Sequence, residues 1–300
     1  MSDLKLFRIE KGTARELSGA AVALEKSLQD LLERNLDVFL GVRFLASEHS
    51  TGPKHGGRID TLGLDENGSP VIIEYKRAMN ENVINQGLFY LDWLMDHKGE
   101  FKLLVQEKLG KEAAAGIEWS VPRLLCIAGS FTKYDEHAVQ QMHRNIELIR
   151  YRRFGEGLLI LELVNATTGP AVADGVVSPS VSSRTISQTL AGLKGPLRDL
   201  YEELRAFLLA MGDDVQEKTL KNYVAFKRFK NFACVEVHPT KSVVSVYVKP
   251  SPEGVVAIEG LTRDVSNIGH FGTGDLEITL RSRADLDRAR ELFVKSYEVS

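Results

Sequence analysis

Three residues stand out for the chemistry that their types and spacing allow: Asp60 in GRID, and Glu74 and Lys76 in VIIEYK. The stretches RIDTLGL and SPVIIEYK read as two strands joined by Asp65-Glu66-Asn67-Gly68, which holds the Asn-Gly signal of a hairpin turn. Glu74 and Lys76 are two apart, so on a strand they share one face. Pairing of the strands brings Asp60 alongside them. Two carboxylates converging from paired strands make a hard oxygen site suited to Mg²⁺ or Mn²⁺, completed by waters, a phosphate oxygen and a backbone carbonyl. A lysine beside such a cation can hold a water in line with a phosphate and stabilise charge in the transition state. That is the minimum set for hydrolysing a phosphodiester.

Other positions agree with this chemistry. Arg58 lies two residues before Asp60, on the same strand face, and is placed to bind a non-bridging phosphate oxygen. Gln86 and Tyr90, at i and i+4, share one face of the following helix, where the glutamine amide would meet a phosphate or Lys76. Tyr90 reads better as a core aromatic with a bonded hydroxyl than as a substrate contact. Glu25 projects from the polar stripe of an earlier helix and is a candidate to turn its carboxylate towards the metal or its water. Arg150, Arg152 and Arg153 in IRYRRF are candidates to track a phosphate backbone, or else a charge-protected sheet edge. KNYVAFKRFKNF interleaves cations with aromatics, as single-strand stacking surfaces do, but its alternation favours a half-buried strand.

The elements that must position these residues follow from periodicity. Apolar residues at helical spacing predict a helix over 19–35, with Glu25, Gln29 and Glu33 as its polar stripe. VRFLASEHS reads as a strand and STGPKHGG as a loop. After the hairpin come predicted helices over 80–96 and 101–115, the strand RLLCIAG, a helix over 136–144, and the strand pair IELIRYRR and GLLILELV. This order implies an α/β fold, a mixed sheet flanked by helices, over residues 1–165. From 166 to 195 the composition shifts to Thr, Gly, Pro, Ser and Val without periodicity, which marks a linker. Residues 196–300 read as a smaller α+β domain. In it PLRDLYEELRAFLLAMG forms an amphipathic helix, ACVEVHPTKSVVSVYVKP a hairpin turning at 238–241, LEITLRS a strand, and ADLDRARELFVKSY a closing helix.

GRID, a turn, VIIEYK, and then Gln86 and Tyr90 downstream resemble the PD-(D/E)XK nuclease superfamily, most closely its NucS and RecB-like branch. The resemblance covers about residues 20–165, roughly half of the chain. It implies a restriction-endonuclease-like fold and a Mg²⁺- or Mn²⁺-dependent nuclease, acting most naturally on DNA. Asp60 and Glu74 would be its metal ligands, and Glu25, Lys76 and Gln86 would complete the catalytic set. Tyr75 departs from the small or aliphatic residue usual between Glu and Lys, and alternation points it to the opposite face. The C-terminal part resembles an uncharacterised domain that accompanies such heads, sometimes labelled a predicted transport protein. No apolar run of membrane-spanning length supports transport.

The chain has 300 residues, 43% hydrophobic and 26% charged, with a net charge of -3. That is an ordinary globular composition, so any nucleic acid must be held by local basic groups and not by a global field. Cys126 and Cys234 sit in apolar runs and read as buried hydrophobes in a reducing compartment. MSDLKLFRIEKG lacks the apolar core of a secretory signal. These features predict a cytoplasmic protein without a membrane segment, and a homodimer is compatible with them. The seven histidines show no zinc spacing. Three rivals to the nuclease stay open: a non-catalytic nucleic-acid-binding or scaffold protein that keeps the fold, a protein whose C-terminal domain binds a protein or small molecule while the head only serves it, and a surface hairpin whose charges merely pair across strands.

Overall fold

The computed structural model describes residues 5–20, 25–76, 83–155, 157–167, 169, 185–249 and 258–300. They form two compact units, one mainly from residues up to 171 and one mainly from those after it.

The first unit opens with a two-stranded hairpin, β1 (Leu6–Glu10) and β2 (Thr13–Leu17), turning at Lys11 and Gly12, both at positive φ. The short β3 (Gly19–Ala20) follows, and then α1 (Glu25–Arg34) and α2 (Leu36–Leu40). The chain continues through β4 (Val42–Ser50), α3 (Gly52–His55), β5 (Arg58–Asp65) and β6 (Pro70–Lys76). Next come α4 (Val83–Asp96), α5 (Lys98–Leu109), α6 (Lys111–Ala115) and β7 (Arg123–Ala128). The unit ends with α7 (Lys133–Gln141), β8 (Asn145–Phe154) and β9 (Leu158–Ala166).

Its sheet is ordered β3-β8-β7-β6-β5-β4, with β9 paired to β8. β5/β6 and β8/β9 are antiparallel, whereas β6/β7 and β7/β8 are parallel. This is the mixed sheet that the element order implies. The central β7 is buried at every position, as expected of a parallel strand covered on both faces. Leu32, Leu36, Ile72, Leu124, Trp93 and Leu94 belong to the core around it. Arg123 and Glu147, on neighbouring strands and almost fully buried, satisfy each other through two bonds of 2.8 and 2.9 Å.

Several boundaries differ from the sequence reading: the helix expected over 136–144 runs from Lys133 to Gln141, and the loop STGPKHGG contains the short α3. Residues 19–20 pair with β8 as a strand and do not start the helix, which begins by Glu25. The predicted helix over 101–115 breaks at Gly110, whose φ of +93° suits glycine best.

The second unit holds α8 (Ile186–Ala191), α9 (Gly195–Leu209), β10 (Gln216–Thr219), β11 (Val224–Lys227) and β12 (Asn231–His238). It closes with β13 (Val243–Val248), β14 (Thr262–Asp264), β15 (Leu276–Leu280) and α10 (Arg283–Glu298). The sheet β10-β11-β12-β13-β15-β14 is antiparallel throughout. Leu200, Leu204, Leu208, Leu286 and Phe293 from the helices pack with Val235, Val246 and Ile278, giving the small α+β unit expected. Of KNYVAFKRFKNF, Val224–Lys227 forms β11, and Tyr223, Phe226 and Phe232 are buried, so those rings offer no stacking surface.

Of the predicted linker, 168 and 170–184 lie outside the described residues. Its last stretch is not linker: Ile186 and Leu193 are buried in the second unit's core. No helix among the described residues is long and apolar enough to cross a membrane. Cys126 and Cys234 are both free and buried.

Candidate metal centre

The site is assembled by the β5–β6 hairpin. Asp65 accepts bonds from Asn67 N (2.9 Å, side chain) and Gly68 N (3.0 Å, carbonyl), and Gly68 takes the positive φ of +77° that closes the turn. From there the ladder runs from Leu64↔Pro70 to Thr61↔Ile73. At the next step side chains replace backbone pairing. Asp60 N donates to Glu74 Oε1 (3.2 Å), and Tyr75 N donates to Asp60 Oδ2 (2.9 Å). The two carboxylates thus fill the place where strand pairing ends, while β6 continues against β7 as far as Lys76↔Ala128.

The face of each side chain follows from its bonds. Thr61 Oγ1 donates to Glu33 Oε1 of α1 (2.6 Å) and lies 3.3 Å from the Tyr75 hydroxyl. By alternation Asp60 and Glu74 point to the other face, and Tyr75 faces away from them as its bulk requires. The polar stripe of α1 clamps the strand from behind: buried Gln29 donates to Asp60 O (2.9 Å) and to Glu33 Oε1 (2.9 Å). Glu25 is the first residue of α1, and its side chain lies outside those described.

Glu74 is the electrostatic centre. It is 0% exposed, and its carboxyl is pushed up from 4.5 to about 9. Burial is the main cause and the Asp60 charge the second; the Asp60 N–H and Lys76 oppose them, and Glu48 adds to the rise. Its Oε2 is shut off from solvent and has no hydrogen-bond partner among the described residues. A buried carboxylate with an unused oxygen, beside a second carboxylate, is an unfavourable arrangement unless a proton or a cation occupies it. The donors fit a hard divalent ion, which needs only a few protein oxygens and keeps several waters. Among the described residues no group of three His, Cys, Asp or Glu side chains could enclose a metal, so water and substrate would complete the sphere.

Gln86 and Tyr90 are brought together, but not at a phosphate. Gln86 Nε2 donates to the Tyr90 hydroxyl (3.1 Å), which also accepts from Arg58 N (3.1 Å). Tyr90 is 4% exposed. It is therefore a buried anchor for the start of β5, and its assignment to nucleic-acid contact is corrected. A Cβ at Gly57 would lie 2.6 Å from Tyr90 Cε1, so glycine is what allows the ring so close to the backbone. Arg58 itself is well exposed and paired with Glu48.

Residues 186–300 match the family model described as a domain of unknown function (DUF5655). A Haemophilus influenzae protein, itself described only as uncharacterized, is 29% identical over 295 residues, covering 95% of this chain and 96% of its own length. Two solved structures are similar over part of the chain. A repair endonuclease from Pyrococcus abyssi is 19% identical over 44% of this chain, with a TM-score of 0.29. An EndoMS–dsDNA2 complex is 21% identical over 43%, with a TM-score of 0.26. The chain spans about half the length of these solved structures (50% and 46%).

The arginines of IRYRRF are placed differently from the sequence reading. β8 has β7 on one side and β9 on the other, so it is no sheet edge. Arg150 is 7% exposed and makes a bidentate pair with Glu162 (2.6 and 2.9 Å), which removes it from any phosphate-tracking role. Arg152 and Arg153 lie half-buried further along β8. Gln29 and Glu48 are the site neighbours that were missed. Gln29 was visible as part of the polar stripe of α1, whereas nothing local in VRFLASEHS signals Glu48.

Proposed function

We propose that this protein is a divalent-metal-dependent nuclease that hydrolyses phosphodiester bonds of DNA, using Mg²⁺ or Mn²⁺ held by Asp60 and Glu74. The observation that carries this reading is Glu74: fully buried, its Oε2 without a partner among the described residues, and next to a second carboxylate. A merely structural hairpin has no need to bury a carboxyl of that kind, since an apolar residue would be less costly there.

A bound cation would polarise the phosphate and lower the pKa of a water. The chain supplies the rest. Asp60 and Glu74 offer the oxygens, and Asp60 is itself fixed by the Tyr75 N–H. Lys76, at the end of β6 on the face of Glu74, would hold the attacking water and stabilise the phosphorane-like charge. Arg58 would grip a non-bridging oxygen, its backbone set by Tyr90 and, through it, by Gln86. Glu25 starts the helix whose Gln29 holds Asp60 O, and it is the candidate for a further water contact.

The reading is tested by titrating Mn²⁺ and Mg²⁺ into the full-length protein by calorimetry, beside a cleavage assay on duplex, single-stranded and branched DNA and on RNA. Metal binding abolished by Asp60→Ala, together with metal-dependent cleavage, is the expected result. Equal binding by wild type and Asp60→Ala would place the metal elsewhere. Substrate binding without cleavage in either metal would favour a non-catalytic binder.

A further inference from the structure

Glu48 takes no direct part in holding Asp60 or Glu74, yet it sits in a costly conformation beside them. Its φ is +52°, in the left-handed region that favours glycine and, among other residues, asparagine and aspartate. Strain of this kind survives where the surroundings enforce it, and it gathers at functional sites. Two cations flank its carboxylate. Glu48 Oε2 lies 2.5 Å from Arg58 Nε, and Oε1 lies 3.4 Å from Lys26 Nζ.

The pair with Arg58 is poorly made. Glu48 Oε2 is shut off from solvent but accepts no aligned hydrogen bond among the described residues, so the contact is charge against charge, off the N–H direction. The Arg58 side chain is 69% exposed. Its remaining N–H groups form a planar fork that matches the oxygens of a phosphate. Arg58 is two residues before Asp60 and shares its strand face, and its backbone is fixed by Tyr90. The carboxylate therefore occupies the exposed arginine that, among the described residues, the hairpin directs alongside the metal site.

We propose that Glu48 stands in for a backbone phosphate: it holds Arg58 in place while no nucleic acid is bound, and the phosphate of the bound strand displaces it. This inference rests on the nuclease reading. Displacement exchanges a misaligned pair for a bidentate one and frees the Glu48 carboxylate on the side of the site where a cation gains from it. Anions too small to make other contacts do not repay that exchange, so the pair selects for a strand over a free phosphate.

The test measures binding of labelled duplex and single-stranded oligonucleotides by the full-length protein in EDTA, with inorganic phosphate as competitor. Glu48→Gln keeps size and removes charge, and it should tighten binding about three- to tenfold. Arg58→Ala should weaken binding, and Glu48→Gln added to Arg58→Ala should then change nothing, as a double-mutant cycle requires of a coupled pair. Glu48→Gly relieves the backbone and should tighten binding as well, which guards against a rotamer artefact of the glutamine; melting curves confirm that each variant folds. Inorganic phosphate should compete better against Glu48→Gln than against wild type. Wild-type binding unchanged by Glu48→Gln, or tightened equally without Arg58, overturns the stand-in role and leaves the nuclease reading intact. No binding by wild type or any variant overturns both.

Discussion

At the residue scale, Glu74 meets opposite demands with and without a cation. Burial keeps it protonated in the folded protein up to about pH 9, whereas the unfolded chain gives up the same proton near 4.5. In the window between these values the unfolded state is favoured, so the metal-free protein should lose stability as pH rises from about 4.5 to about 9. Glu74→Gln removes that dependence. In EDTA its melting temperature should match wild type at pH 4 and exceed it by about 5 °C or more at pH 8, with parallel curves across the window counting against a buried acid. Mn²⁺ should stabilise wild type more at pH 8 than at pH 6, because it competes with a proton for the same oxygens. Lys76 makes the complementary case. Its contribution is expected mostly in the transition state, so Lys76→Ala should cut cleavage by about 100-fold or more. Binding of the same DNA with Ca²⁺ should fall far less. Cleavage by Lys76→Ala at the wild-type rate would mean that the site is misassigned.

At the element scale, the start of β5 is held from outside the sheet: Gly57 gives way to the Tyr90 ring, and the Tyr90 hydroxyl accepts from Arg58 N and Gln86. Gly57→Ala would push a methyl into Tyr90 at 2.6 Å. The expected cost is about 1–3 kcal/mol, read by denaturant melts, together with weaker DNA binding as Arg58 shifts. An alanine variant of wild-type stability would show that the ring can move aside. These contacts explain which parts of the site could be read from the sequence. The hairpin was legible because Asn-Gly and two apolar runs fix its turn and register locally, and the register alone sets Asp60 beside Glu74. The Gln86–Tyr90 pair was legible as an i, i+4 relation, but its partner was not, because Arg58 N comes from a strand 32 residues away. Arg150 misled for a related reason. An Arg-rich strand resembles an exposed edge until β9, with Glu162 facing it, is known to lie alongside. The β1–β2 hairpin escaped notice although Lys11-Gly12 marks its turn, since FRIE and TARE are too short and polar to read as strands.

At the scale of the whole molecule, the two units have separate cores, and the question is where the second begins. Composition placed its start at 196, because 166–195 is rich in Thr, Gly, Pro and Ser. Yet Thr185 and Gln188 form a capping box, each side chain bonding the other's backbone N–H, which starts α8 in the midst of that composition. The Thr-x-x-Gln spacing was the available signal, overridden by the residues around it. Ile186 on α8 and Leu193 after it are 3% and 5% exposed within the second unit's core. Burying two such side chains is worth about 1.5–3 kcal/mol each, a large share of the stability of a domain of this size. A fragment covering 185–300 should therefore fold on its own and melt cooperatively. One covering 196–300, cut at the compositional boundary, should be less stable by about 3 kcal/mol or more, or fail to fold. Circular dichroism and denaturant titration of the two fragments decide the matter. Equal stability would return the boundary to 196 and leave α8 as an appendage. Should the longer fragment also fail to fold, the second unit would depend on the rest of the chain, and the separate cores would not make separate domains.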